Sequence, residues 1–284
     1  MFPQVDTKVP GAVEEEVDRI YRKLFPGGER GFVAQAFHWA KSCFMGKFHD
    51  YQPIDARYHD LEHTLQGTLC LTRLISGREA ADARPKVSER KFQLTLLAIL
   101  FHDTGYLKKK EDKEGTGAKY TPIHVGRSAS FAQEFLATKE YTKADISAVQ
   151  NMISCTGVNA DLKSIPFGDQ LERTLGFALG TGDLLGQMAA TDYVDKLPVL
   201  YLEFAESARF NPDKPLRFMC NSAAELMRNT LPFWEDYVLP KINNDFGKLY
   251  RFLNQPYPDG PNPYLVRIEH NMDLIRERLG RSAS

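Results

Sequence analysis

The spacing of apolar residues constrains this chain more than any other feature. They recur at three- and four-residue intervals along Val13–Phe25, Gly31–Met45, Leu61–Ile75, Phe92–Phe101, Val125–Leu136 and Ala144–Ile153. The same spacing continues along Leu171–Met188, Tyr193–Ala208, Leu216–Leu231, Phe233–Leu253 and Tyr264–Leu279. That period places the apolar side chains on one face of an α-helix. No convincing run of period-two alternation separated by turn pairs occurs. The pattern predicts an all-α protein of about ten helices, a single bundle-like domain over residues 1–284. Loops are expected at Gly77–Pro85, Lys108–Pro122, Gly157–Gly168 and Gln255–Pro263, with a frayed tail from Arg281 to Ser284.

The 284 residues, 43% of them apolar, suffice for a full core without disulfides or structural metal. With 36 Lys and Arg against 37 Asp and Glu, the net charge of −1 argues against a long nucleic-acid partner. It leaves room for a small phosphorylated ligand held by a few local cations. The longest apolar run, Leu94–Phe101, falls far short of the ~20 residues of a membrane span, so no membrane partner is expected. The N-terminal stretch is acidic and broken by proline, unlike a secretory signal. Cys43, Cys70, Cys155 and Cys220 form no CxxC pair and read as reduced thiols, so a cytoplasmic location is expected. The long C-terminal helices offer a face for a homodimer.

Three stretches carry chemistry. The first is Tyr58-His59-Asp60-Leu61-Glu62-His63, where two histidines four apart would share one face of a helix. The second is the apolar helix ending in His102-Asp103-Thr104-Gly105, which brings an imidazole and a carboxylate out of the core. The third is Gly180-Thr181-Gly182-Asp183-Leu184-Leu185-Gly186-Gln187-Met188, a lone carboxylate among small and apolar residues. Burying that charge is costly unless something compensates it, and a metal ion is one compensator. A mixed imidazole and carboxylate set suits Mn, Fe, Zn, Co or Ni, and such an ion acidifies a bound water into a hydroxide nucleophile. His49-Asp50, His38 and His270 lack such a context and are assigned no role.

The ordered set His, His-Asp, Asp on successive helices resembles the HD-domain metal-dependent phosphohydrolase superfamily, and Tyr-His-x-x-x-His resembles the first motif of class I cyclic-nucleotide phosphodiesterases. The resemblance covers roughly Tyr58 to Ala205. It implies an HD core at about residues 55–210, with a helical layer at 12–50 before it and helices at 215–280 after it. It implies that His63, His102, Asp103 and Asp183 hold a divalent metal (Mn, Fe, Zn, Ni, Co or Mg), with Asp103 able to bridge to a second ion. His59 would be the general acid that protonates the leaving oxygen.

The chain departs from that pattern in two places. Phosphodiesterases follow their His-Asp with another nearby histidine, where this chain reads Thr104-Gly105-Tyr106-Leu107. His124 is the substitute as a second-metal ligand, as in HD-GYP phosphodiesterases and HD-domain diiron oxygenases. Those proteins use a further histidine on the next helix, where this chain has Asn151-Met152-Ile153-Ser154-Cys155-Thr156. A firm first metal with a weaker, water-rich second one is therefore expected. No glutamine can be assigned to purine reading, so cyclic-nucleotide specificity does not carry over.

The loop Lys108–Thr121 joins His102-Asp103 to His124. Lys108, Lys110 and Lys119 are candidate phosphate contacts, with Thr116 between two glycines offering backbone N–H groups, and Gln187 one turn past Asp183. The function expected is metal-dependent hydrolysis of a phosphoric ester, a nucleotide-type phosphodiester rather than a monoester. The alternatives are an HD-domain diiron oxygenase and a non-catalytic metal-dependent ligand sensor.

Overall fold

The computed structural model describes residues 2–214 and 220–281. Among them the chain forms ten α-helices and no β-strand; Tyr51 and Lys109 make one isolated bridge. The helices are α1 (Pro10–Leu24), α2 (Phe32–Phe44), α3 (Leu61–Ala80), α4 (Glu89–Phe101), α5 (His124–Ala137), α6 (Lys143–Ile153), α7 (Gln170–Met188), α8 (Tyr193–Phe210), α9 (Ala223–Pro232) and α10 (Pro263–Arg281). No helix among the described residues is long and apolar enough to cross a membrane.

Position in the bundle follows from how apolar each helix is. Every residue of α4 from Phe92 to Phe101 is buried, so α4 is central. By contrast, α1 buries one stripe (Val13, Val17, Ile20, Tyr21) and α10 another (Ile268, Met272, Ile275), as outer helices do. Each fully buried Leu, Ile or Phe contributes roughly 1.5–3 kcal/mol. Side-chain caps set the helix starts: Ser88 accepts from the Lys91 N–H, Asp169 from Glu172, and Thr142 with Asp145 makes a capping box.

The most extensive helix pair is α3 with α7. Their close approach depends on glycine. A Cβ on Gly186 would lie 2.6 Å from the Gln66 carbonyl oxygen and 2.8 Å from Gly67 Cα. The small-residue spacing of α7 thus lets its backbone reach α3 and sets Asp183 against Gly67, within reach of His63 one turn earlier.

The structure differs from the sequence pattern in four places. Helix α3 continues through Gly77 to Ala80, so the following loop is shorter; Gly77 is where the 3₁₀ segment Leu249–Leu253 crosses α3. Helix α9 starts at Ala223, capped by Ser222, and the start expected at Leu216 lies outside the described residues, as do Ser282–Ser284 of the expected tail. Phe233–Leu253 is not one α-helix. It runs as π turns at Phe233–Val238 and Lys241–Asp245, then a 3₁₀ turn, because Pro240 removes a helical donor and Gly247 and Lys248 both have positive φ. Lys108–Pro122 is not all loop, since Gly117–Ile123 is 3₁₀-helical.

Candidate metal centre

Helix ends supply most of the site. Asp60 is the N-cap of α3, its carboxylate accepting the His63 N–H at 2.9 Å. Because Asp60 takes that place, His59 lies just before the helix instead of one turn below His63 on it. The two rings still meet, with centroids 5.3 Å apart. His102 caps the C-terminus of α4 and Asp103 follows it. The chain then turns tightly at Gly105, whose N–H donates to Ser128 Oγ at 2.8 Å. A Cβ there would fall 2.0 Å from the His124 carbonyl oxygen, so glycine is what lets the start of α5 approach the Asp103 turn. Asp183 comes from the middle of α7.

Four of the expected ligands converge. His63 Nε2 is 3.1 Å from Asp103 Oδ2 and 3.4 Å from Asp183 Oδ1. His102 Nε2 is 3.3 Å from each of the same two oxygens. All four side chains are buried. Two ligands bound at about 2.1 Å stand about 3 Å apart at right angles and about 3.4 Å apart at the tetrahedral angle, so the spacing suits a single ion of either geometry. His63, His102 and Asp103 together form a group able to hold a metal.

The hydrogen bonds around the site fit such an ion. His102 Nδ1 lies 2.7 Å from the Ile99 carbonyl oxygen, which can only accept, so Nδ1 carries the proton and Nε2 turns its lone pair inward. That Nε2 and Asp103 Oδ2 are buried without a hydrogen-bond partner. Two orphaned buried atoms of this kind are costly in a native interior unless a cation engages them. The local electrostatics agree. Burial lowers the His63 pKa, but the Asp103 and Asp183 carboxylates beside its Nε2 outweigh it and push it up to about 10. His102 is likewise raised, burial being outweighed by the two carboxylates. Asp103 and Asp183 are held low; burial opposes this, and the nearby imidazoles outweigh it. A divalent cation would replace the imidazole protons that these carboxylates attract.

His124 lies at the edge of the cluster. Its Nδ1 is fixed by the Thr121 carbonyl at 2.7 Å, and Nε2 is 3.9 Å from Asp103 Oδ1. Burial lowers its pKa more than Asp103 raises it, which favours the neutral imidazole a ligand needs. Asp103 thus has one oxygen toward His63 and His102 and the other toward His124.

His59 is held differently. Its Nδ1 is 2.6 Å from Glu203 Oε2, and the other Glu203 oxygen accepts the Tyr58 N–H at 2.7 Å. Burial raises the Glu203 pKa, yet the His59 charge and these hydrogen bonds bring it below the usual carboxylate value. The His59 ring stacks on Tyr106 at 4.4 Å, and Tyr106 stacks in turn on His124 at 4.8 Å. Gln187 also joins the site: Tyr58 donates to its Oε1 at 3.0 Å, and its Nε2 donates to the Asp183 carbonyl at 3.3 Å.

Glu203 and Tyr106 are given no role by the sequence, and Tyr58 enters there only as the first residue of Tyr-His-x-x-x-His. Glu203 had a signal, since an acid three residues past Leu200 sits on the buried stripe of α8.

The loop cations are elsewhere. Lys108 Nζ binds the Gly115 carbonyl and Asp55, at 2.5 and 3.1 Å. Lys119 Nζ binds Asp112 and the Glu114 carbonyl. Lys110 is exposed and reaches the His49 carbonyl. The backbone N–H and hydroxyl of Thr116 both donate to Glu206, and the Gly117 N–H donates to Asp55. The groups expected to receive phosphate therefore hold the loop's own fold, because carboxylates from α8 and the Asp55 segment lie closer. Of Lys108–Thr121, only the end at Thr121 lines the cleft among the described residues.

That cleft has a volume of about 410 Å³, within the size range of small-molecule sites. His59, His63, Asp103, His124 and Asp183 form its floor, and residues of α8, α9 and the segment Ser154–Ala160 form its walls.

Fold and site together define an all-α protein with a buried His/Asp cluster beside a cleft of about 410 Å³. The chain belongs to the Npun_R2479-like family, which it matches over residues 109–254, just over half its length. His124, Asp183, Gln187 and Glu203 fall within the matched stretch; His59, His63, His102 and Asp103 precede it. No curated protein matches the chain.

Proposed function

We propose that this protein is a metal-dependent hydrolase of phosphoric esters, acting on a phosphodiester in preference to a monoester. The observation that carries this reading is a carboxylate-backed imidazole, His59–Glu203, beside a buried His63, His102, Asp103 and Asp183 cluster, with His59, His63, Asp103 and Asp183 lining one cleft. A divalent transition ion on the cluster supplies Lewis acidity toward phosphoryl oxygens and acidifies water for attack at phosphorus. His63 and His102 would hold it through Nε2, with Asp103 and Asp183 neutralising its charge. His124 and the outer oxygen of Asp103 would make a weaker second position.

His59 acts on the leaving group. Its Nδ1 is committed to Glu203, so Nε2 is the atom that can give a proton to the departing alkoxide. The products are then an alcohol and a phosphomonoester, and water returns the proton to His59. Charge favours the diester. With a divalent ion opposite two aspartates and an imidazolium opposite Glu203, the floor is near neutral, and a diester brings one negative charge where a monoester brings nearly two.

The test is Mn²⁺ content and turnover of bis(4-nitrophenyl) phosphate and 4-nitrophenyl phosphate by the wild type and Asp103→Ala. Stoichiometric metal and diester turnover, both lost in the variant, are expected. Wild-type turnover in a metal-free Asp103→Ala protein would overturn the reading.

A further inference from the structure

Above its polar floor the cleft changes character. Leu200 and Phe204 of α8, Leu226 of α9 and Phe233 line one side, and Val158 lines the facing segment. The π turn Phe233–Val238 brings Phe233 to the cleft while Trp234 and Val238 of the same turn are buried in the core. The Tyr237 hydroxyl donates to the Val158 carbonyl at 3.1 Å, tying the facing segment to this turn. The polar side chains on the walls, including Thr156, Asn159 and Asn229, are uncharged. Among the described lining residues, only imidazoles can carry positive charge. Lys108 and Lys119, from the loop that precedes Thr121, are tied to Asp55 and Asp112.

A ligand charge set against such walls loses water and gains no cationic partner among the described wall residues. An apolar group set there gains from leaving water. Resting on the hydrolase reading above, we infer that the substrate is a singly charged phosphoric diester whose arm is uncharged and largely apolar, an aryl or alkyl group lying against Leu200, Phe204, Leu226 and Phe233. Nucleoside polyphosphates and sugar phosphates with a second anionic group are the wrong chemistry for these walls. A nucleoside arm, uncharged but rich in hydrogen-bonding groups, is intermediate.

The test is binding by calorimetry to the full Mn²⁺-loaded chain, with three probes: diphenyl phosphate, phenyl phosphate and 3′,5′-cyclic AMP. Diphenyl phosphate should bind at least about tenfold more tightly than either other probe. Phe204→Ala should weaken diphenyl phosphate roughly tenfold at unchanged Mn²⁺ content, the scale of one lost aromatic contact. If that variant does not fold, Phe204→Leu should show a smaller loss in the same direction. Equal or tighter binding of phenyl phosphate or cyclic AMP, or no binding of any probe, overturns the inference. The two readings fail separately. Diphenyl phosphate preference without hydrolysis of any diester leaves the ligand class standing and removes the hydrolase. Hydrolysis of bis(4-nitrophenyl) phosphate with the reverse binding order does the opposite.

Discussion

Gly186→Ala tests how α7 delivers its carboxylate. The new methyl carbon would stand 2.6 Å from the Gln66 carbonyl oxygen and 2.8 Å from Gly67 Cα, closer than real Cβ contacts, so the two backbones must move apart. Overpacking of this kind costs about 1–3 kcal/mol. The gain in helix propensity from Gly to Ala offsets about 1 kcal/mol of it. The net loss is therefore about 0–2 kcal/mol, or up to roughly 4 °C in Tm for a chain of this size. The larger effect is expected at the site. Asp183 is one turn from Gly186, and its Oδ1 must stay within reach of His63 and His102, 3.4 and 3.3 Å away. His63, His102 and Asp103 belong to α3 and the end of α4 and stay together. Affinity for Mn²⁺ should fall on the order of tenfold, as when a supporting contact of a metal ligand is lost. Calorimetric melting and Mn²⁺ titration measure both quantities. Gly11→Ala, where the methyl meets nothing within 4 Å, is the control. If Gly186→Ala melts and binds Mn²⁺ like that control, the close helix approach is not what places Asp183.

Three further outcomes follow from the same geometry. His59→Gln should retain metal while losing about 10²–10⁴-fold in diester turnover; metal analysis beside kcat decides it, and unimpaired turnover would remove His59 as the acid. In metal-stripped protein, the His63 imidazolium stabilises the fold because its pKa is raised from 6.5 to about 10. That contribution is complete below the unfolded value and is lost as pH rises through the folded one. The urea midpoint in EDTA should therefore fall from pH 7 to 10, and His63→Asn should flatten the profile; superimposable profiles would refute the coupling. Lys108→Ala should lower stability by about 1–3 kcal/mol, since it removes a buried partner of Asp55 and Gly115, while kcat/KM stays unchanged. A rise in KM without loss of stability would return that lysine to the substrate.

Much of the fold was legible because helix formation is local. Thr142 and Asp169 each sit where a helix begins, and the apolar period marks the faces that turn inward. The reading failed where a distant contact overrides the local rule. Gly77 reads as a stop but lies inside α3, and Phe233–Leu253 has a helical period yet is broken by Pro240 and by positive φ at Gly247 and Lys248.

The site divides in the same way. His63, His102, Asp103 and Asp183 could be named from sequence because the resemblance of their order to a known pattern implied them, and Asp183 also stands as a lone carboxylate among small and apolar residues. Their convergence, the tautomer set by Ile99 and the pairing of His59 with Glu203, 144 residues away, belong to the tertiary structure. The lysine-rich loop shows why. Sequence lists charges without their partners, and Lys108, Thr116 and Lys119 could be read as ligands for phosphate until Asp55, Glu206 and Asp112 were seen to hold them. Which residues could carry chemistry was determined along the chain; which of them remain available for a ligand was decided by charge compensation between segments that only folding brings into contact.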